Sequence, residues 1–236
     1  MERVPTGITE LDVKLSGGYP KGKGLLVTGV SGAGKTIFGL HLLYRSCVDG
    51  KECVLIATEE TPEDIFVQAE MIGLDLAKYY DNGQLIIGRV FESRSNKSRQ
   101  VSKYGFAQEG LEVELSQLAD YVPDSTSIAV IDNIGVFTLR STAQDFRDQF
   151  DALNFTLNKK GCTTMFIMDE SAYLMTNQVA DYSAYGSVRL LVKENPYTDR
   201  VERYFTIPKM RSTNVMPDLT VFEITPEGIR LKTKTD

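Results

Sequence analysis

Residues 29–36 carry the clearest chemical signal in the chain. Their sequence, GVSGAGKT, follows an apolar run at 25–27 and precedes a second apolar-rich segment. Its glycines let the main chain curl so that N–H groups point into one concavity at a helix N-terminus. Lys35 adds a positive charge for the outer phosphates, and the Thr36 hydroxyl suits Mg²⁺. We therefore predict a phosphate-binding loop for a nucleoside triphosphate, formed by Gly29, Val30, Ser31, Gly32, Ala33, Gly34, Lys35 and Thr36.

Acidic residues stand at the ends of three predicted buried strands. The apolar runs CVLIAT, SIAVID and TTMFIM lead to Glu59 and Glu60, to Asp132, and to Asp169 with Glu170. Strand and helix patterns alternate along the chain, which predicts a mainly parallel sheet with helices on both faces. Ligands of such sheets bind beyond the carboxyl ends of the strands. We therefore expect these acids to lie near the phosphate loop.

The strand-end acids allow separate roles in phosphate chemistry. Asp132 has the position of a Walker-B carboxylate that holds Mg²⁺ opposite Thr36. The next residue is Asn133 rather than an acid, so the acid that activates water is expected on the neighbouring strand, as Glu59 or Glu60. The other glutamate would complement the positive N-terminus of the helix that follows.

Two cations alternate near the end of the chain, in the segment PKMRST that follows the predicted strand RYFTI. In an extended segment Lys209 and Arg211 point to the same side. Two such cations indicate either a solvated sheet edge or a site for an anion. The pattern alone leaves both open.

Composition narrows the class of protein. The 236 residues suit a single α/β domain spanning 1–236, and a net charge of −6 with a pI of about 5.0 gives no general attraction for nucleic acid. No signal peptide or run of 18 apolar residues is present, so we expect a cytoplasmic protein without a membrane span. Cys47, Cys53 and Cys162 are expected to be buried thiols, and His41 a packing residue.

Further elements follow from pattern. Thr61, Pro62 and Asp64 predict a capped helix start. Apolar spacing predicts helices over 111–122 and 146–157, and from Gly186 the pattern predicts a terminal antiparallel meander. The basic run 94–103 is expected to be a solvated loop, with contact to a polyanion or a partner as the alternative.

These segments together resemble the KaiC-like ATPases of the RecA/RadA superfamily. The resemblance runs from VPTGITELD through GVSGAGKT, ATEETPEDI and the Walker-B strand to KMR, and the chain length resembles the single-domain archaeal members. It implies a RecA-like P-loop fold, Mg²⁺-dependent ATP binding, and a slow ATPase. It also implies a homo-oligomeric ring, of six subunits in this family. On the matching positions, Lys35 and Thr36 hold phosphate and Mg²⁺, Asp132 holds Mg²⁺, and Glu59 is the catalytic acid beside Glu60. Lys209 and Arg211 then reach the nucleotide of the neighbouring subunit.

One position departs from the family pattern. Members often have Ala-Asp-Gly before a late strand, where this chain has Ala-Tyr-Gly with Tyr185 at the Asp position. The preceding segment 171–185, which faces DNA in the recombinases, contains no Lys or Arg. Tyr173, Tyr182 and Tyr185 supply stacking faces there without cations.

Several functions remain open from the sequence. The leading one is a ring-forming ATPase whose nucleotide state regulates an unknown protein partner, with autophosphorylation as a further possibility. The alternatives are a nucleotide-binding scaffold or motor component that hydrolyses little, and a RadA-like accessory protein that binds single-stranded DNA. For the last, the charge predicts weak, salt-sensitive binding.

Overall fold

The elements alternate as the sequence predicts. The computed structural model describes residues 1–90, 113–139, 141–170, 174–195 and 199–232. In chain order, the described elements are β1 (Arg3–Val4), α1 (Thr9–Lys14), β2 (Tyr19–Pro20), β3 (Gly24–Gly29), α2 (Lys35–Val48), β4 (Cys53–Ala57), α3 (Pro62–Met71), α4 (Ala77–Asp81), β5 (Leu85–Arg89), β6 (Ile128–Asp132), α5 (Ala143–Lys159), β7 (Thr163–Asp169), α6 (Leu174–Ser183), β8 (Gly186–Asn195), β9 (Arg200–Met210), β10 (Thr220–Thr225) and β11 (Gly228–Leu231). Two 3₁₀ helices, Leu115–Tyr121 and Ile134–Leu139, flank β6.

Among the described residues, nine strands form the central sheet, in the order β11-β10-β9-β8-β3-β7-β6-β4-β5. The pairs from β8 across to β5 are parallel, and β8 to β11 are joined by antiparallel pairs. β1 and β2 form a separate antiparallel ribbon. The predicted fold class, a mainly parallel sheet with a C-terminal meander, is confirmed.

The apolar character of the central strands follows from their burial on both faces. Every residue of β4 is buried, and β3, β6 and β7 have buried residues at all but one position each. The cores on the two sides of the sheet contain different helices. Phe38 of α2 belongs to one core and Phe150 of α5 to the other. A strand between two helical layers has no solvent face, which explains continuous apolar runs in place of alternation.

Two helices begin as their sequences indicate. The Thr61 hydroxyl accepts from the Asp64 main-chain N–H at 3.1 Å and caps α3, with Pro62 at the first helical position. The predicted helix over 146–157 is confirmed as the larger part of α5, which buries Phe146, Phe150, Leu153 and Leu157.

The predicted helix over 111–122 is wrong in type. The described part is a 3₁₀ helix from Leu115 to Tyr121, and residues 111–112 lie outside the described residues. Its apolar residues Leu115, Leu118 and Val122 are buried as expected. Their spacing of three and then four residues suits a 3₁₀ turn followed by extended chain as well as an α-helix.

Other sequence expectations concern burial and surface. Cys47, Cys53 and Cys162 are free and buried, as predicted. His41 packs inside, where its Nε2 accepts from the Ile229 main-chain N–H at 3.0 Å. None of the helices formed by the described residues combines the length and apolar character needed to cross a bilayer. The basic run 94–103 lies outside the described residues.

Candidate functional site

The loop between β3 and α2 exposes a helix N-terminus. Gly32 and Gly34 have φ of 77° and 99°, in the left-handed region that favours glycine. Gly34 is the N-cap of α2 and provides no side-chain capping bond. The first N–H groups of a helix have no partner within it, and the first turn of α2 contains no acid. The residues here therefore fit an anion such as a phosphate group.

Lys35 is the first residue of α2 and is largely buried, with a side chain 10% exposed. Its Nζ donates to the carbonyl oxygens of Gly29 and Val30, both at 3.1 Å. It also forms a close ion pair with the Asp169 carboxylate at the end of β7. The sequence placed Asp169 at a strand end near the loop, but the pairing with Lys35 was not predicted.

Thr36 and Asp132 meet at the carboxyl edge of the sheet, as the sequence predicts. The Thr36 hydroxyl donates to Asp132 Oδ2 at 2.6 Å. Burial raises the pKa of Asp132 to about 6, and the nearby Glu60 and Glu59 carboxylates also raise it. The hydrogen bond from Thr36 and the charge of Lys35 act in the opposite direction. A hydroxyl beside a half-buried carboxylate is an oxygen donor set that fits Mg²⁺.

The two strand-end glutamates share a cavity with this pair. The cavity measures about 70 Å³ and is lined by Thr36, Leu55, Ala57, Glu59, Glu60, Ile65 and Asp132. Glu59 is exposed and Glu60 is half-buried. Both glutamates therefore lie just beyond the strand next to Asp132, at one cavity with the Thr36–Asp132 pair.

Asn133 connects the acids, and the sequence reasoning missed it. Its Nδ2 donates to Glu59 Oε2 at 3.4 Å and to Asp169 Oδ2 at 3.1 Å. Its Oδ1 accepts from the Gly135 N–H at 2.8 Å, which fixes the orientation of the amide. The available signal was an amide directly after Asp132, since the Asn side chain has N–H groups that can donate to neighbouring carboxylates.

Lys209 and Arg211 lie against the C-terminal end of α6. Lys209 Nζ donates closely to the Asp181 carbonyl and at 3.3 Å to that of Tyr182, and Arg211 Nη2 donates to the Tyr182 carbonyl at 3.2 Å. The prediction that the two cations point to one side is confirmed by this shared acceptor. Burial lowers the pKa of Lys209, Asp181 opposes the shift, and Arg211 adds to it. Cations are favoured at a helix C-terminus by the helix dipole.

Strand register separates these cations from the phosphate loop of the same chain. Lys209 pairs with Ser187, and Ser187 pairs with Leu26, three residues before Gly29. β9 runs antiparallel to β3, so Arg211 lies farther still from the loop. Three residues of strand span about 10 Å, and two strand spacings add about 10 Å across the sheet.

Tyr185, at the position that departs from the family pattern, supports the segment containing Arg211. Its hydroxyl donates to Ser212 Oγ at 2.8 Å, and its carbonyl accepts from the Arg211 main-chain N–H at 3.2 Å. Lys23 Nζ lies 5.4 Å from the Tyr185 ring centroid. A tyrosine here therefore links the start of β8 to the turn after β9.

Comparison with known proteins extends over the whole site. The family described as "ATPase: KaiC" matches residues 4–236. A UPF0273 protein of Sulfurisphaera tokodaii is 30% identical over 96% of this chain and 81% of its own length. The circadian clock oscillator protein KaiC of Synechococcus elongatus is 29% identical over 97% of this chain, which spans 44% of that protein. The crystal structure of a KaiC-like protein from Pyrococcus horikoshii superposes with a TM-score of 0.79, 26% identity and coverage of 98% of this chain and 99% of that one. The chain belongs to the KaiC family of ATPases.

Proposed function

We propose that residues 1–236 form one domain that binds Mg-ATP at the phosphate loop and slowly hydrolyses it to ADP and phosphate. The observation that carries this proposal is the Thr36–Asp132 contact of 2.6 Å, with Glu59 and Glu60 lining the same cavity. It brings a hydroxyl and a carboxylate that suit Mg²⁺, together with two candidate bases, to the N-terminal end of α2, which suits a phosphate group. The family membership supports the same reaction class.

Each residue group has a separate task in this proposal. The main-chain N–H groups of the loop and the Lys35 ammonium bind the phosphates. Thr36 and Asp132 hold Mg²⁺, which neutralises phosphate charge when bound. Glu59 accepts the proton of the attacking water, and the Asn133 amide orients the Glu59 carboxylate. Glu60 raises the local negative charge beside Asp132.

The reaction also needs positive charge on the γ-phosphate, and we assign it to Lys209 and Arg211 of a neighbouring subunit. The register places both cations too far from the loop of their own chain. The carbonyls at the end of α6 hold them together on one side. The proposed assembly is a ring, of six subunits by family resemblance, whose nucleotide state regulates a protein partner.

Single-stranded DNA binding is a second candidate function, and one observation in the structure supports it. Tyr182 and Tyr185 lack cations in their own segment, but Arg147 of α5 lies 5.4 Å from the Tyr182 ring centroid and Lys23 lies over Tyr185. Aromatic rings beside cations are typical of single-strand binding surfaces. With a net charge of −6, we expect weak binding, with a Kd above about 10⁻⁷ M at physiological salt.

The test of nucleotide binding is calorimetry with Mg-ATP on the wild type and on Lys35→Ala. We expect Lys35→Ala to weaken binding about 100-fold, the scale of charge-assisted hydrogen bonds. Lys159→Ala, an exposed lysine at the end of α5, is the matched control and should bind as the wild type. Unchanged binding in Lys35→Ala would reject the site. ATP turnover and mass in solution, each measured with and without single-stranded DNA, separate the two candidate functions.

A further inference from the structure

The chain itself uses every donor of the Lys35 ammonium. An ammonium group has three N–H bonds. In Lys35 these meet the Gly29 carbonyl, the Val30 carbonyl and the Asp169 carboxylate. A phosphate oxygen can therefore reach Lys35 only by replacing one of these acceptors.

The three acceptors differ in how easily they can leave. The Gly29 carbonyl also accepts from the Glu170 N–H at 3.1 Å, and the Val30 carbonyl accepts from the Ala33 N–H at 3.2 Å. Both belong to the main chain of the loop, so moving either would distort the phosphate-binding concavity. The Asp169 carboxylate is on a rotatable side chain that is 28% exposed.

Asp169 also has a second partner. Its Oδ2 accepts from Asn133 Nδ2 at 3.1 Å, so the carboxylate keeps one hydrogen bond when it releases Lys35. It lies at the end of β7, level with Gly29 in the register with β3. A polyphosphate bound at the loop would bring like charge close to this carboxylate, which disfavours their joint contact with Lys35.

We propose that Asp169 is a built-in competitor of the nucleotide: it holds Lys35 by an ion pair that the phosphates must displace. This inference rests on the proposed binding of Mg-ATP at the loop. Asp169 thereby lowers nucleotide affinity, and at the same time it stabilises the chain when no nucleotide is bound. It is a positioning residue for Lys35 rather than a group that reacts.

The direct test is calorimetry of Mg-ATP and Mg-ADP binding to Asp169→Asn. This substitution keeps the side-chain size and an acceptor for Asn133, and removes the charge that holds Lys35. We expect both nucleotides to bind about tenfold more tightly. The full Coulomb energy of the Lys35–Asp169 ion pair would give a larger gain, but solvent at the partly exposed carboxylate weakens the pair. Asp169→Glu retains the charge and should bind no more tightly than the wild type.

Glu170→Gln is the matched control for a general change of charge. Glu170 follows Asp169 directly, and its carboxylate pairs with Arg189 instead of Lys35. We expect its nucleotide affinity to stay within about threefold of the wild type, because Glu170 is not in contact with Lys35 and the effect of a partly exposed charge at a distance is screened. An equal gain in Glu170→Gln and Asp169→Asn would overturn the inference.

Thermal unfolding without nucleotide supplies an independent readout. Asp169→Asn should lower Tm, because Lys35 is left largely buried without its counter-ion, while the rise in Tm on adding Mg-ATP should grow. Lower Tm with tighter binding is a combination that general damage to the fold does not produce.

The outcomes separate this inference from the proposed function. Equal or weaker binding by Asp169→Asn, in a protein whose binding is lost in Lys35→Ala, would overturn the competition and leave the nucleotide site intact. Wild-type protein that binds neither Mg-ATP nor Mg-ADP would reject the proposed function, and the inference with it.

Discussion

The carboxyl ends and the amino ends of the parallel strands form two edges of the sheet, and the two edges present different functional groups. At the carboxyl edge, Thr36, Asp132, Asn133 and Glu59 form contacts between 2.6 and 3.4 Å from elements of one chain. At the opposite edge, Lys209 and Arg211 contact main-chain carbonyls at the end of α6. Under the proposed function, the carboxyl edge binds phosphate and metal and activates water, whereas the two cations of the opposite edge lie far from the phosphate loop of their own chain.

Under the proposed function, this difference assigns binding to one subunit and part of the catalysis to its neighbour. Binding needs groups that one chain brings together through its own strand register. Hydrolysis also needs charge at the γ-phosphate, which in this account comes from a second chain. Substitutions at the two edges should therefore affect different measurements.

The largest expected effect is on turnover in Arg211→Ala. Loss of a cation at the γ-phosphate should reduce ATP turnover about 10³-fold, the scale of arginine fingers, with Mg-ATP affinity nearly unchanged. Calorimetry and a phosphate-release assay check the two parts. Arg230→Ala, an exposed arginine on β11, serves as the control. Loss of binding equal to the loss of turnover would place Arg211 in the site of its own chain and remove the contrast between the edges.

A smaller effect is expected at the carboxyl edge, in Glu59→Gln. Removing the general base should slow turnover about 100-fold while Mg-ATP still binds. Glu60→Gln is the matched comparison, since both carboxylates line the cavity but Asn133 contacts Glu59. An inactive Glu60→Gln with an active Glu59→Gln would reassign the role, and full activity in both would reject a glutamate base.

The smallest expected effect concerns stability and the single histidine of the chain. Burial lowers the pKa of His41, and a hydrogen bond with the Gly7 main chain opposes the shift. A base whose folded pKa is lowered contributes stability above its unfolded pKa and loses it as pH falls. Protonation of His41 Nε2 removes the acceptor of the Ile229 N–H. The loss of this hydrogen bond should lower the free energy of unfolding by about 1 kcal/mol.

The contribution of His41 to stability can be measured by denaturant unfolding between pH 8 and pH 5. His41→Gln is the control, because glutamine keeps a hydrogen-bond acceptor and does not titrate. The stability advantage of the wild type over the variant should shrink with falling pH. An advantage that stays constant or grows would contradict the assignment.

The sequence predicted the carboxyl edge well because that edge depends on local signals. Continuous apolar runs predict the buried strands, and the residues that follow parallel strands must lie at the carboxyl edge of the sheet. The cap formed by Thr61 and Pro62 is equally local. The order of the strands is not local, which is why the Lys35–Asp169 pair was missed. The two residues are 134 positions apart in the sequence, and they meet because β7 pairs with β3.

The opposite edge was harder to predict for the same reason. The alternation of Lys209 and Arg211 could be seen in the sequence, but their acceptors at the end of α6 depend on how that helix packs beside the meander. The cations over Tyr182 and Tyr185 come from α5 and from the segment before β3. Neither arrangement leaves a periodic signal in the segment concerned.

Mixing Arg211→Ala with Glu59→Gln shows whether one active site is built from two chains. In an exchanging ring, some interfaces combine the intact Glu59 of one subunit with the intact Arg211 of the next. We therefore expect ATP turnover of the mixture to rise above that of either variant alone and to peak at intermediate ratios. Turnover that stays at the level of the separate variants at every ratio, with subunit exchange demonstrated by mass measurement of tagged chains, would contradict the account.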